Sequence, residues 1–174
     1  MHTIHFSVRL SKIGSVDILR IPKDVSAKLP SRGMVYIEGT INGSKFQTAL
    51  EPDGKGSHWF EITKEVRKHI RTDLNSTLTL DIEAIDKWPE PEIPLDLKKA
   101  LSDNPKAYST WKDITPMARW DWIRWINSTK NPETRKKRIL VTFSKFNSGK
   151  RRPCCFDRSR CTDPYISKNG ILLD

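Results

Sequence analysis

The sequence predicts an α+β protein in two unlike parts, a six-stranded small β-barrel followed by a basic helical bundle. Three observations predict it. Up to residue 86 the apolar residues fall in short runs with period two, separated by turn residues. From residue 95 they recur at helical spacing, and three times an Asn or Thr stands directly before a Pro. Between the halves, prolines at 89, 91 and 94 forbid a helix and favour a stiff, extended segment. The expected organisation is a barrel domain at 1–86, a Pro-rich linker at 87–94, a helical domain at 95–152 and an irregular tail at 153–174.

In the first half, Ile4, Phe6, Val8 and Leu10 alternate with polar residues and predict a half-buried strand. Val16 to Ile21 is a second apolar stretch, stopped by Pro22, which opens a short helix over 22–29. Met34 to Ile41 and Lys45 to Leu50 are the third and fourth strands. Asn42-Gly43 between them is a hairpin signal, because both residues tolerate positive φ. Trp59 to Ile62 makes a fifth strand, Thr63 starts a short helix with Val66 and Ile70, and Thr77 to Ile85 alternates again as a sixth. Six short strands with two helical interruptions suit a closed or nearly closed barrel, which leaves few free edges.

In the second half, Asn104-Pro105, Thr115-Pro116 and Asn131-Pro132 each predict a capped helix start. The side-chain oxygen satisfies an orphan amide, and Pro lacks the amide that would be orphaned. Helices are expected near 95–102, 105–112, 116–128 and 132–147. Leu97 and Leu101 mark the inner face of the first. Ala118, Trp122, Trp125 and Ile126 mark that of the third, and Ile139, Leu140, Phe143 and Phe146 that of the fourth.

Residues 115–139, Thr-Pro-Met-Ala-Arg-Trp-Asp-Trp-Ile-Arg-Trp-Ile-Asn-Ser-Thr-Lys-Asn-Pro-Glu-Thr-Arg-Lys-Lys-Arg-Ile, followed by Ser148-Gly149-Lys150, carry a family pattern. This part resembles the YdeI/OmpD-associated family, also called bacteriocin-protection proteins. The first half, through Ile21-Pro22, Gly39-Thr-Ile-Asn-Gly43, Pro52-Asp-Gly-Lys-Gly-Ser-His58 and the strand at 77–85, resembles the domain of unknown function that often precedes it. Together the resemblances cover roughly residues 1–152 and imply a small β-barrel followed by a helical module. For function they imply a role in resistance to bacteriocins, antimicrobial peptides or stress, acting through protein partners, with no catalytic residues to carry over.

The net charge of +10 is unevenly spread: residues 1–86 hold 12 Lys/Arg against 11 Asp/Glu, and residues 87–174 hold 19 against 10. Such asymmetry points to an anionic partner for the second half, whether nucleic acid, membrane surface or acidic protein, or else to a solvated basic face. The candidate polyanion-binding residues are Arg135, Lys137, Arg138, Lys145, Lys150, Arg151 and Arg152. Helical geometry groups Lys137, Arg138, Val141 and Lys145 opposite Ile139 and Phe143, with Arg135 and Lys136 flanking the apolar stripe. No recognised nucleic-acid motif accompanies them, so sequence-specific readout is not expected. Of the tryptophans interleaved with Arg119 and Arg124, Trp122 and Trp125 fall on the core face, leaving Trp120 as the candidate stacking residue.

A second candidate site, for an anion or small ligand, is the loop at 52–58, where Gly54, Lys55, Gly56 and His58 could form a positive nest of amides. Its spacing departs from a phosphate-binding loop. Cys154, Cys155 and Cys161 fit neither a zinc site nor a disulfide framework, and nearby arginines make them redox-sensitive thiols at most. No metal or cofactor is expected. His5, His58 and His69 lack a Cys, Ser or Asp companion in sequence, and no catalytic motif is present, so an enzyme is not expected. The alternating N-terminus is unlike a signal peptide, and no apolar run approaches the ~20 residues of a membrane span, so the expected location is the cytoplasm.

Overall fold

The computed structural model describes residues 2–68, 70, 76–153, 165–168 and 170–174. The chain forms two compact units, Met1–Lys87 with Ile171–Asp174, and Trp88–Gly170.

The first unit is a closed six-stranded barrel. Its strands are β1 (Ile4–Ile13), β2 (Val16–Arg20), β3 (Val35–Ile41), β4 (Ser44–Pro52), β5 (His58–Glu61) and β6 (Thr77–Ala84), with short helices α1 (Lys23–Ser26) and α2 (Lys64–Lys68) between them. The order is β1-β2-β5-β4-β3-β6, closing back on β1. Closure depends on the length of β1: Ile4–Arg9 pairs with β6, and Leu10–Ile13 pairs with β2. One strand thereby serves both neighbours and no edge is left open. The period-two residues point inward as expected, with Leu10, Ile37, Ile41, Leu50, Leu78, Leu80 and Ile82 fully buried. Phe46 stacks on Phe60 with ring centroids 5.8 Å apart.

Two sequence signals are explained by backbone geometry. Asn42 (φ 50°) and Gly43 (φ 80°) form the two-residue turn between the paired ends Ile41 and Ser44. Gly39 sits opposite Ile82 in the β3–β6 ladder, and a Cβ there would lie 1.8 Å from the Asp81 carbonyl oxygen. Only glycine lets the two strands approach so closely. The first helix is shorter than expected: Pro22 stands at its N-cap position and the helix ends at Ser26. The last residues return to the barrel, where the Leu172 amide donates to the Asp53 carbonyl at 2.9 Å and Leu172 is buried.

The second unit contains α3 (Leu95–Ser102), α4 (Pro105–Asp113), α5 (Pro116–Asn127) and α6 (Pro132–Asn147). All three predicted caps form: Asn104 accepts from the Ala107 amide at 3.0 Å, Thr115 from Ala118 at 3.2 Å and Asn131 from Thr134 at 3.0 Å. The core joins Leu97, Leu101, Trp111, Trp122, Ile126, Phe143 and Phe146. Trp122 meets Phe146 edge-to-face at 5.3 Å, a favourable aromatic geometry. From Trp88 onward the proline segment, which forms neither helix nor strand, belongs to this unit. Trp88 packs edge-on against Trp120 at 6.0 Å, the Trp120 indole donates to the Pro89 carbonyl at 2.9 Å, and Arg119 pairs with Glu90. Beyond α6 come two-residue strands β7 (Ser167–Lys168) and β8 (Ile171–Leu172). Among the described residues, no helix is long and apolar enough to cross a membrane.

Candidate functional site

The basic candidates lie on α6 and just after it. The helix begins at the Asn131 cap with Pro132 in its first turn. It ends where Gly149 (φ 78°) turns the chain, so that its amide donates to Phe146 and that of Lys150 to Lys145. This glycine stop satisfies carbonyls of the last turn. The buried face is Ile139, Thr142, Phe143 and Phe146. Leu140, expected on that face, is instead 60% exposed. Position 140 lies a further 100° round the helix from Ile139, which carries it off the stripe.

The four arginines among the candidates are engaged inside their own unit. Arg135 makes a two-pronged pair with Asp96 at 2.5 and 3.0 Å, and reaches Asn127 Oδ1 at 2.7 Å. That pairing holds the Asp96 carboxyl below the usual carboxylate range, the Arg135 hydrogen bond being the largest cause. Arg138, expected on the outer face, turns back toward α5. Its Nη1 donates to the Trp125 carbonyl and to Ser128 Oγ, both at 2.5 Å, and its guanidinium lies over the Trp125 ring at 5.3 Å. The long stem lets a residue on the helix flank carry its charge to the end of α5, where carbonyls lack amide partners. Arg151 pairs with Asp113 at 2.6 Å, and Arg152 donates to Asp121 at 2.8 Å. Arg151 and Arg152 are still exposed, whereas Arg135 and Arg138 are half-buried.

The lysines differ. Lys137, Lys145 and Lys150, together with Lys136, are exposed. Lys136 and Lys145 are nine residues apart and so lie on opposite flanks of α6, with Lys137 between them on the outer side. The structure therefore divides the basic candidates by residue type: guanidinium groups fasten the helices and ammonium groups face water.

The loop at 52–58 is organised around a carboxylate of its own. Asp53 Oδ1 accepts from the amides of Lys55 at 2.7 Å and Ser57 at 2.8 Å. Lys55 Nζ is 2.9 Å from Asp174 Oδ1, and its hydrogen bond is the main cause that holds the Asp174 carboxyl below the usual range. The Gly56 carbonyl accepts from Arg32 at 3.0 Å. His58 is buried, with Nδ1 2.7 Å from Ser26 Oγ and Nε2 2.8 Å from the Gly33 carbonyl. The carbonyl must accept from Nε2–H, so in the neutral ring Nδ1 accepts the serine hydroxyl proton. Burial pushes the His58 pKa below its ordinary value, favouring that neutral form.

Two family models match the chain. Residues 90–149 match the family described as bacteriocin-protection, YdeI or OmpD-associated, and residues 8–82 match a domain of unknown function, DUF1905. Residues 90–149 are thus a YdeI/OmpD-associated domain, and residues 8–82 a DUF1905 domain. No curated protein is significantly similar to it.

In the YdeI/OmpD-associated domain, the residues that carry the family pattern mostly perform architectural work. Thr115 and Asn131 cap helices, Trp122 and Ile126 fill the core, Arg135 and Arg138 fasten α6, and Gly149 ends it. Trp120, the stacking candidate, is half-buried between Trp88 and the Pro89 carbonyl. An aromatic that the sequence did not single out is exposed instead: Tyr165 is 61% exposed and Lys130 Nζ lies 4.2 Å from its ring centroid. Nothing periodic surrounds Tyr165 in the sequence, so no local signal marked it.

On the DUF1905 barrel, a surface concavity of about 650 Å³ lies over β3, β4 and β6. Asp81 there accepts from His5 at 2.7 Å and Thr40 at 3.3 Å, and Glu38 accepts from Gln47 at 3.2 Å. His5 and His58, which lack companions in sequence, thus acquire Asp81 and Ser26 through strand pairing and packing. His69, Cys154, Cys155 and Cys161 lie outside the described residues. Among the described residues no group of three or more His, Cys, Asp or Glu side chains is arranged to hold a metal ion.

Proposed function

We propose that this protein is a non-enzymatic binding protein whose helical unit engages a polyanion such as nucleic acid through Lys136, Lys137, Lys145 and Lys150. One observation carries the reading. Neighbouring arginines are tied to carboxylates and carbonyls, while these four lysines remain exposed along α6 and at its end. Ammonium groups held in water on a rigid helix can each neutralise a phosphate and release its counterion. Charge complementarity without base-reading geometry gives binding that is salt-dependent and indifferent to sequence.

The test is fluorescence anisotropy with labelled oligonucleotides and heparin across a salt series, on the full chain. Four phosphate contacts predict a slope of log affinity against log salt of about −3 on single strands and about −3.6 on duplex DNA. The double substitution Lys137→Glu, Lys145→Glu should weaken every polyanion. Absence of binding at low salt, or binding that ignores the double substitution, would overturn the proposal.

A further inference from the structure

We infer that the barrel unit carries a recognition site for an extended peptide with a leucine and, two residues on, a carboxylate. The chain's own Leu172–Asp174 is its resident occupant, which a partner protein's segment of that chemistry displaces. The site is built from Arg20 at the end of β2 and from Asp53 and Lys55 in the loop after β4. The Leu172 amide donates to the Asp53 carbonyl at 2.9 Å, and the Arg20 guanidinium donates to the Leu173 carbonyl. Lys55 Nζ stands 2.9 Å and Arg20 Nη1 4.0 Å from Asp174 Oδ1. Leu172 is 2% exposed, whereas its neighbours Ile171 and Leu173 are exposed and half-buried. Peptide-recognition sites use this division of labour, with main-chain bonds for affinity and a pocketed side chain with a charge clamp for specificity.

The barrel is complete without the segment. Its six strands close on one another and β8 is not among them. The receiving loop is also organised from within. Asp53 Oδ1 accepts the Lys55 and Ser57 amides, the Asp53 amide donates to the Ser57 carbonyl at 2.9 Å, and Ser57 Oγ donates to the Ile21 carbonyl. Arg32 holds the Gly56 carbonyl at 3.0 Å. Withdrawal of the segment therefore frees the Asp53 carbonyl, the Lys55 ammonium and the Arg20 guanidinium for another peptide while the loop keeps its own bonds. The anion foreseen for this loop is a carboxylate taken by the Lys55 side chain, since Asp53 already fills the amides. A tethered occupant competes at a high effective concentration, and the affinity for an incoming peptide falls by the fraction of time the site stands empty. The site uses none of the α6 lysines, so this inference and polyanion binding stand or fall separately.

The experiment titrates the end-blocked peptide Gly-Ile-Leu-Leu-Asp, residues 170–174, into the 15N-labelled full chain and into its Leu172→Ala variant. The Lys55 and Ser57 amides are the NMR reporters. Leu172→Ala empties the site and should tighten peptide binding at least about fivefold over the natural chain. Adding Lys55→Glu should weaken it again at least about threefold. A peptide with Ala in place of the leucine at 172 should bind at least about tenfold more weakly. In the natural chain, hydrogen exchange at the Leu172 amide should proceed by local opening, faster than at the amides of β6. Equal affinity for natural chain and variant, no binding to the variant, or binding indifferent to Lys55→Glu overturns the inference. So does exchange at Leu172 as slow as in β6, or a Leu172→Ala chain whose barrel unfolds, because either makes the segment an integral part of the barrel.

Discussion

Replacing Arg138 with Met removes the guanidinium and keeps most of the stem, which isolates what the charge does. Two hydrogen bonds are lost, to the Trp125 carbonyl and Ser128 Oγ at 2.5 Å each, together with the contact over the Trp125 ring at 5.3 Å. Hydrogen bonds to a charged group contribute about 1.5–3 kcal/mol each, and a cation over Trp about 0.5–2 kcal/mol. These contributions are not additive, and water reaches the half-buried site, so the expected loss is about 2–3 kcal/mol. For a helical unit of this size that lowers Tm by roughly 10–20 °C. Unfolding can be followed by tryptophan fluorescence, because five of the six tryptophans lie in Trp88–Gly170. Lys137→Met is the matched control and should stay within about 0.5 kcal/mol of the natural chain. If Arg138→Met were equally silent, the division into fastening arginines and solvated lysines would fail.

Two further outcomes concern the barrel. Gly39→Ala places a methyl group 1.8 Å from the Asp81 carbonyl oxygen, so β3 and β6 must separate. The expected loss is about 3 kcal/mol or more, measured by urea denaturation, and a midpoint within error of the natural chain would refute the close-approach argument. His58 gives a pH dependence with a definite sign. Its folded pKa lies below the ordinary value of 6.5, so the unfolded chain binds the proton more readily. Stability is therefore complete above pH 6.5 and declines as the pH falls below it toward the folded pKa. NMR titration of the ring should find His58 protonating below the ordinary histidine range; a pKa at or above 6.5 would contradict its burial against Ser26 and Gly33.

The sequence by itself determined the elements and their order. The helix starts at Pro105, Pro116 and Pro132, the turn at Asn42-Gly43 and the inward alternation of β6 all rest on interactions spanning a few residues. Such interactions are written in local spacing, so barrel and bundle were both legible. Only the tertiary structure decided which basic residues remain in water. Arg135 and Arg138 look no different from Lys136 and Lys137 in the charge run, but Asp96 and the end of α5 lie within reach of their guanidinium groups. The same holds for the docked proline segment, for the Asp53 carboxylate inside its own nest and for the partners of His5 and His58. The physical reason is shared: the partner that fixes each side chain is supplied by the folded path of the chain, which a spacing rule cannot contain. Tyr165 lacks even a local pattern, and its place beside Lys130 exists only once residues far apart in sequence have been brought together.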